Sequence, residues 1–257
     1  MLSALGGGPV PVGPVAARPA RRSDGLFETL AAVDGRVARL GEHAARLRRS
    51  FLSCTGEPLT ANVEAAVAEA TAGLRGPHRV RVRAHPEHPD RVRVHAVPWP
   101  GAIPASAQPG LVLRICRTAD GEAHKFTDRR WLDAHEATVG DGETPLLADP
   151  DGALLESTRS SVFAVFDAAV RTPPLDGRIL PGTARRAVLD LFDPDPAMTA
   201  PIRIEDLASA DGMFLTNALR GVQWVREVRS GDTVVARWPA PDPLTLRIAT
   251  DLAHRTT

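Results

Sequence analysis

The sequence predicts an α+β protein in two parts, a smaller N-terminal α/β domain over residues 1–103 and a larger C-terminal domain over residues 111–257. Three observations carry that expectation. Arg79-Val80-Arg81-Val82-Arg83 and Arg91-Val92-Arg93-Val94-His95 alternate strictly between polar and apolar residues, the period of a half-buried strand. Ala44, Leu47 and Phe51 recur at helical spacing. Between the two parts runs PWPGAIPASAQPG, Pro98 to Gly110. Its Pro, Gly and Ala content reads as an interdomain linker, with the linker proper at residues 104–110.

The elements follow in order. Residues 1 to about 21 are rich in Gly, Pro and Ala and read as an irregular lead-in. Ser23 to Val33, SDGLFETLAAV, reads as a strand entered through a turn at Asp24-Gly25. Asp34-Gly35 is a hairpin signal, with Arg36 to Leu40 as the return strand. GEHAARLRRSFLSC then forms an amphipathic helix. A second helix is expected from about Thr60 to Leu74, with Val63, Val67, Ala70 and Leu74 on one face. The two alternating strands come next, joined by a loop from His85 to Asp90. After the linker, LVLRIC suits a buried strand. Arg130 to Ala137 is expected as a helix. Thr144 to Ala148, Leu154-Leu155 and Val162 to Phe166 are expected as short strands, with Asp-Pro-Asp-Gly between the first two. A helix from Arg185 to Phe192 follows, then strands at Phe214 to Thr216 and Val234 to Trp238, and a closing helix from Leu244 to His254.

Composition narrows the function. Apolar residues make up 43% of the 257, enough for a sizeable core. Positive and negative charges balance at 31 each, so no net field favours nucleic acid or an anionic membrane. The stacked Arg of the alternating strands have no interleaved aromatic residues, as a single-strand nucleic-acid platform needs. They are read as a solvated outer face. No apolar run reaches membrane-spanning length. The N-terminus lacks an early positive segment, and Gly and Pro break its apolar part, so no signal peptide is read there. Cys54 and Cys116 are too few for a disulfide framework, and a reducing cytoplasm is the expected compartment.

Lys125 is the only lysine among 31 basic residues, the rest being Arg. Arg supplies positive charge anywhere, but a primary amine is needed to form a stable imine with an aldehyde. So solitary a Lys points to covalent chemistry, in the first place a Schiff base with pyridoxal phosphate. Drift toward Arg that left one Lys behind would give the same count. Such chemistry needs a carboxylate at the pyridine nitrogen, and backbone donors plus a cation for the phosphate. Glu156 in LLESTRSSVFAVF is the candidate carboxylate, though an ordinary turn Glu would look the same. RILPGTARRAVLDLF places Thr183 and Ala184 where a helix opens after Pro181-Gly182, which fits a phosphate or a plain helix cap equally well. Arg46, on the helix containing EHAARL, is the candidate cation; alone it reads as a surface arginine. No metal site is assigned.

Six motifs together are more specific: SDGLFETL, EHAARLRRS, HKFTDRR, LLESTRSSVF, TPPLDGRILPGTAR and FLTNALRGVQWV. In this order they resemble the class IV aminotransferase-like family of fold-type IV pyridoxal phosphate enzymes, over roughly Ser23 to Val228. That family includes branched-chain aminotransferases, D-amino-acid aminotransferases and 4-amino-4-deoxychorismate lyases. The resemblance implies a two-domain fold whose C-terminal part binds cofactor on a barrel-like sheet. It implies a small-molecule substrate and a homodimer. It matches Lys125 to the Schiff-base lysine, Glu156 to the ring-nitrogen carboxylate, and Arg46 to the phosphate-binding arginine. Thr183 and Ala184 match the backbone phosphate donors, and Asn217 and Ala218 the turn that closes the phosphate and carboxylate site. Thr29 in FETL and the Lys125-x-x-x-Arg129 spacing look most like the lyases, which implies conversion of 4-amino-4-deoxychorismate to 4-aminobenzoate and pyruvate. The alternatives are an aminotransferase acting on branched-chain or D-amino acids, and a degenerate non-catalytic member. The chain departs from the family pattern at Ser23, at Ser161, at Thr183-Ala184 and in having no Tyr.

Overall fold

The computed structural model describes residues 25–254, without the side chains at 196 and 197. The lead-in, Ser23 and Asp24 lie outside the described residues. β1 (Leu26–Val33) pairs with β2 (Arg36–Val37) and with β3 (Pro77–His85), which pairs with β4 (His88–Pro98). Together they form an antiparallel sheet ordered β2-β1-β3-β4. The expected return strand at 36–40 is cut to two residues, because Arg39 takes a left-handed conformation and α1 (Leu40–Thr55) begins at once. Gly56, at φ 80°, ends α1 by returning its N–H to the Leu52 carbonyl. α2 (Val63–Thr71) is shorter than 60–74 and starts at Asn62, whose side chain accepts the Ala65 N–H. Leu26, Leu30 and Ala32 of β1 meet Val80 and Val82 of β3, Leu47 and Phe51 of α1, and Val67 of α2 in one core.

The second sheet holds β5 (Leu111–Arg117), β6 (Glu143–Ala148), β7 (Leu154–Ser157), β8 (Ser161–Phe166), β9 (Ala169–Arg171), β10 (Gly212–Asn217), β11 (Gly221–Ser230) and β12 (Thr233–Arg237). Its order is β7-β6-β5-β11-β10-β8-β9, with β12 on β11, and β5 runs parallel to both β6 and β11. The α+β class expected from the sequence is therefore found, with two strands added, β9 and β11. β11 escapes a pattern search because its register shifts between Val225 and Glu227, which breaks the alternation. Glu227 is also buried there, between Arg229 and Arg237. β8 and β10 are buried on both faces. Phe163 and Phe214 face each other in register, with ring centres 4.9 Å apart. α4 (Thr183–Leu189) and α5 (Pro243–His254) cover that face. α4 opens two residues earlier than expected and stops short of Phe192. α3 (Arg130–Glu136) packs through Trp131.

Residues 99–110 are strapped to the second sheet. Trp224 Nε1 donates to the Gln108 carbonyl at 3.0 Å, and the Gln108 amide donates to the carbonyls of Ile103 and Val222. A Cβ on Gly110 would fall 2.7 Å from the Trp224 ring. Among the described residues no helix is long and apolar enough to cross a membrane.

Candidate active site

A cavity of about 590 Å³ opens where the two sheets meet. Thr29, Arg46, Lys125, Glu156, Thr183, Ala184, Asn217 and Ala218 all line it. Eight residues singled out across almost 190 positions of sequence thus converge on one space.

Lys125 sits on neither helix nor strand. The Phe27 N–H donates to its carbonyl at 2.9 Å, and the Thr127 N–H donates to the Gly25 carbonyl at 2.9 Å. Residues 125–127 therefore run along the start of β1. Upstream, Gly121 is pressed onto Arg178, and a Cβ there would lie 2.0 Å from the Arg178 carbonyl oxygen. The amine lies 4.9 Å from the centre of the Phe27 ring, a favourable position for a cation. The side chain is partly buried and lines the cavity. Burial, then Arg46, push the amine down to about 8; Glu28 opposes them, Arg129 adds to the fall, and Glu156 opposes it. At pH 7 about a tenth of the molecules then carry a neutral, nucleophilic amine.

Glu156, on β7, accepts the Leu180 N–H at 3.2 Å. Burial drives its carboxyl up to about 8, against the pull of that N–H, Lys125 and Arg46, while Glu122 adds like charge. A cationic ring nitrogen beside this carboxyl would favour its ionised form. Ser157 Oγ and Thr216 Oγ1 belong to residues that are each 2% exposed, line the same cavity and have no hydrogen-bond partner. Buried hydroxyls left open at a cavity wall fit a polar ligand, and here they fit a phosphate or a hydroxypyridine.

Arg46 is 5% exposed, so it is not the surface arginine that its helix position allows. Nε and Nη2 grip Glu28 at 2.7 and 2.6 Å, and Nη1 donates to the Pro181 carbonyl at 2.9 Å. His43 Nδ1 lies 2.8 Å from Glu28, and its Nε2 lies 3.1 Å from Thr183 Oγ1. Burial alone would raise the Glu28 carboxyl, but hydrogen bonds from His43 and Arg46 outweigh it and hold it at about 2. A Cβ on Gly182 would fall 2.6 Å from Ser161 Oγ, so glycine lets the turn before α4 rest on β8. Asn217 Oδ1 accepts the N–H groups of Leu219 and Arg220, and its Nδ2 donates to Ser160 Oγ at 3.0 Å. That closes the β10–β11 turn and leaves Ala218 on the wall. Glu28 and His43 lay inside the quoted motifs without a role. The signal was present: Glu28 shares a strand face with Leu26 and Leu30, and His43 shares a helix face with Leu47.

The solvated outer face expected for the arginines of β3 and β4 needs correction at Arg81. Arg79, Arg83, Arg91 and Arg93 are exposed as expected, Arg79 at the cavity edge, but Arg81 is partly buried and lines the cavity. Arg81 pairs in register with Thr29, so both point to one side. Its guanidinium carbon stands 4.7 Å from the Phe27 ring centre, and its Nε is buried without a partner. Burial first, then the like charges of Arg79, Arg83, Arg129 and Arg159, push its pKa down. Arg129 is held by Glu136 at 3.4 Å, Asp133 at 3.6 Å and the Thr158 carbonyl. Arg79 and Arg81 give the cavity wall a cationic stretch that suits a carboxylate.

A family model described as Amino-transferase class IV matches residues 25–228. A protein of Methanocaldococcus jannaschii, named provisionally a branched-chain-amino-acid aminotransferase, is 24% identical over 226 residues, covering 80% of this chain and 78% of that one. A hypothetical aminotransferase of Mycobacterium tuberculosis, solved in a PLP-bound form, superposes with a TM-score of 0.75 at 22% identity over 93% of this chain and 90% of that one. A 4-amino-4-deoxychorismate lyase of Pseudomonas aeruginosa superposes with a TM-score of 0.73 at 23% identity over 93% and 96%. The two superpositions speak for a shared fold.

Proposed function

We infer that this chain, which belongs to the amino-transferase class IV family, is a pyridoxal phosphate-dependent lyase converting 4-amino-4-deoxychorismate to 4-aminobenzoate and pyruvate. The observation that carries the choice is Thr29 on the cavity wall beside the unpartnered guanidinium of Arg81. A hydroxyl for proton movement and a cation for a carboxylate then stand side by side. Lys125 would anchor the cofactor and Glu156 would face its ring nitrogen. Arg46, the N–H groups of Thr183 and Ala184, and the Asn217-Ala218 turn would receive its phosphate. When bound, the cofactor supplies an electron sink for charge released at the substrate carbon that bears nitrogen. The Lys125 amine, with its pKa near 8, would take the proton from that carbon and pass it to the departing enolpyruvyl group, which leaves as pyruvate. Thr29 assists at the departing enolpyruvyl group, and loss of pyruvate leaves an aromatic ring.

An aminotransferase acting on branched-chain or D-amino acids is the second reading. The names of the relatives favour it, and the cationic wall speaks against a purely apolar side-chain pocket. The purified protein, supplied with pyridoxal phosphate, is to be given 4-amino-4-deoxychorismate. In parallel it receives branched-chain or D-amino acids with 2-oxoglutarate. Aminobenzoate with pyruvate is the expected product. Keto acid formation with ping-pong kinetics and no aminobenzoate would move the assignment to aminotransferase. No turnover in either arm would leave a non-catalytic member. The reading carries a homodimeric assembly with it, which sedimentation checks.

A further inference from the structure

Four side chains from three elements form one buried chain of hydrogen bonds. Glu28 comes from β1, His43 and Arg46 from α1, and Thr183 from the first turn of α4. Their exposures are 2, 2, 5 and 6%. The donor directions are constrained. An ionised Glu28 only accepts, so His43 Nδ1 carries the proton. The other ring nitrogen, Nε2, stands 3.1 Å from the Thr183 hydroxyl, so the imidazole ties that hydroxyl to Glu28. The Thr183 hydroxyl is thus engaged by His43, and its backbone N–H, at the opening of α4, is left for an anion in the cavity. Arg46 is constrained in the same way. Glu28 takes two of its five N–H groups and the Pro181 carbonyl a third. Two remain for a ligand in the cavity that Arg46 lines.

Both contacts that α1 makes through this chain land on one short turn, Pro181 to Thr183, and both are braced by the same carboxylate. We propose that Glu28 and His43 are positioning residues for the cofactor phosphate: they hold the Pro181–Thr183 turn and aim the Arg46 fork. This rests on the reading that the Arg46 and Thr183 side of the cavity takes that phosphate. Neither residue touches the reacting atoms. Their effect is to keep the guanidinium of α1 and the backbone turn that opens α4 at one spacing.

The test compares pyridoxal phosphate with pyridoxal, which lacks the phosphate, by absorbance titration of the full-length protein. Wild type should bind the phosphorylated form far more tightly. His43→Leu should weaken pyridoxal phosphate binding about tenfold or more, and leave pyridoxal within about twofold, as when the group orienting a ligand is removed. Thr183→Val should act in the same direction, Thr183→Ser should restore binding, and adding Thr183→Val to His43→Leu should cost little more. Equal weakening toward both ligands would make the chain a general structural element and overturn the proposal. Full preference for the phosphate in His43→Leu would also overturn it and leave the phosphate reading standing. If wild type itself showed no such preference, the phosphate reading would fall and the proposal with it. Should His43→Leu not fold, Thr183→Val decides.

Discussion

Glu28→Gln keeps the shape of a buried side chain and removes its charge, which gives a stability change that depends on pH. The carboxyl is held at about 2 against 4.5 for a free Glu. At neutral pH that difference contributes about 3 kcal/mol to folding. Because the folded pKa is the lower one, the contribution is complete above 4.5 and drains away as pH falls toward 2. About 1 kcal/mol of it is lost by pH 4 and about 2 kcal/mol by pH 3. Gln does not titrate, and the other carboxyls are shared by both proteins. The stability gap between wild type and Glu28→Gln should therefore narrow by about 2 kcal/mol from pH 7 to pH 3. Urea unfolding at each pH, followed through the emission of the four tryptophans, measures it. A gap that stays constant with pH, or an equally stable variant at pH 7, would refute the claim that His43 and Arg46 hold Glu28 ionised.

Lys125→Arg should keep the charge yet capture no pyridoxal phosphate on borohydride reduction. In wild type the label should map to Lys125, and its rate of capture should climb as pH rises through about 8, where the amine loses its proton. Glu156→Gln should retain cofactor in titrations yet lose about 10²-fold in turnover, since an amide cannot balance a protonated ring nitrogen; near-normal turnover would give that role to another residue. Thr29→Val keeps a β-branched shape suited to β1 and should leave circular dichroism unchanged, while aminobenzoate formation falls about 10²-fold. Any side transamination should fall much less, and a lyase rate untouched by Thr29→Val would favour the aminotransferase.

What the sequence determined by itself is local chemistry. A solitary lysine, a Pro-Gly-Thr turn opening a helix, an Asp-Gly hairpin and the apolar stripe of α1 each depend on residues within a turn or two, so their reading transfers to the folded chain. The motif order also brought together residues that line one cavity. The tertiary structure alone decided the rest. β11 was hidden because a register shift erases the two-residue period that marks a strand. Arg81 of β3 was assigned to solvent because alternation tells which residues share a face, and not which part of that face the rest of the chain will cover. Glu28 and His43 became a hydrogen-bonded pair inside the core only when a helix 15 residues away and a turn 140 residues away closed around them. A buried carboxylate is tolerable only with its partners in place, and those partners are supplied by packing between distant segments, which no local pattern encodes.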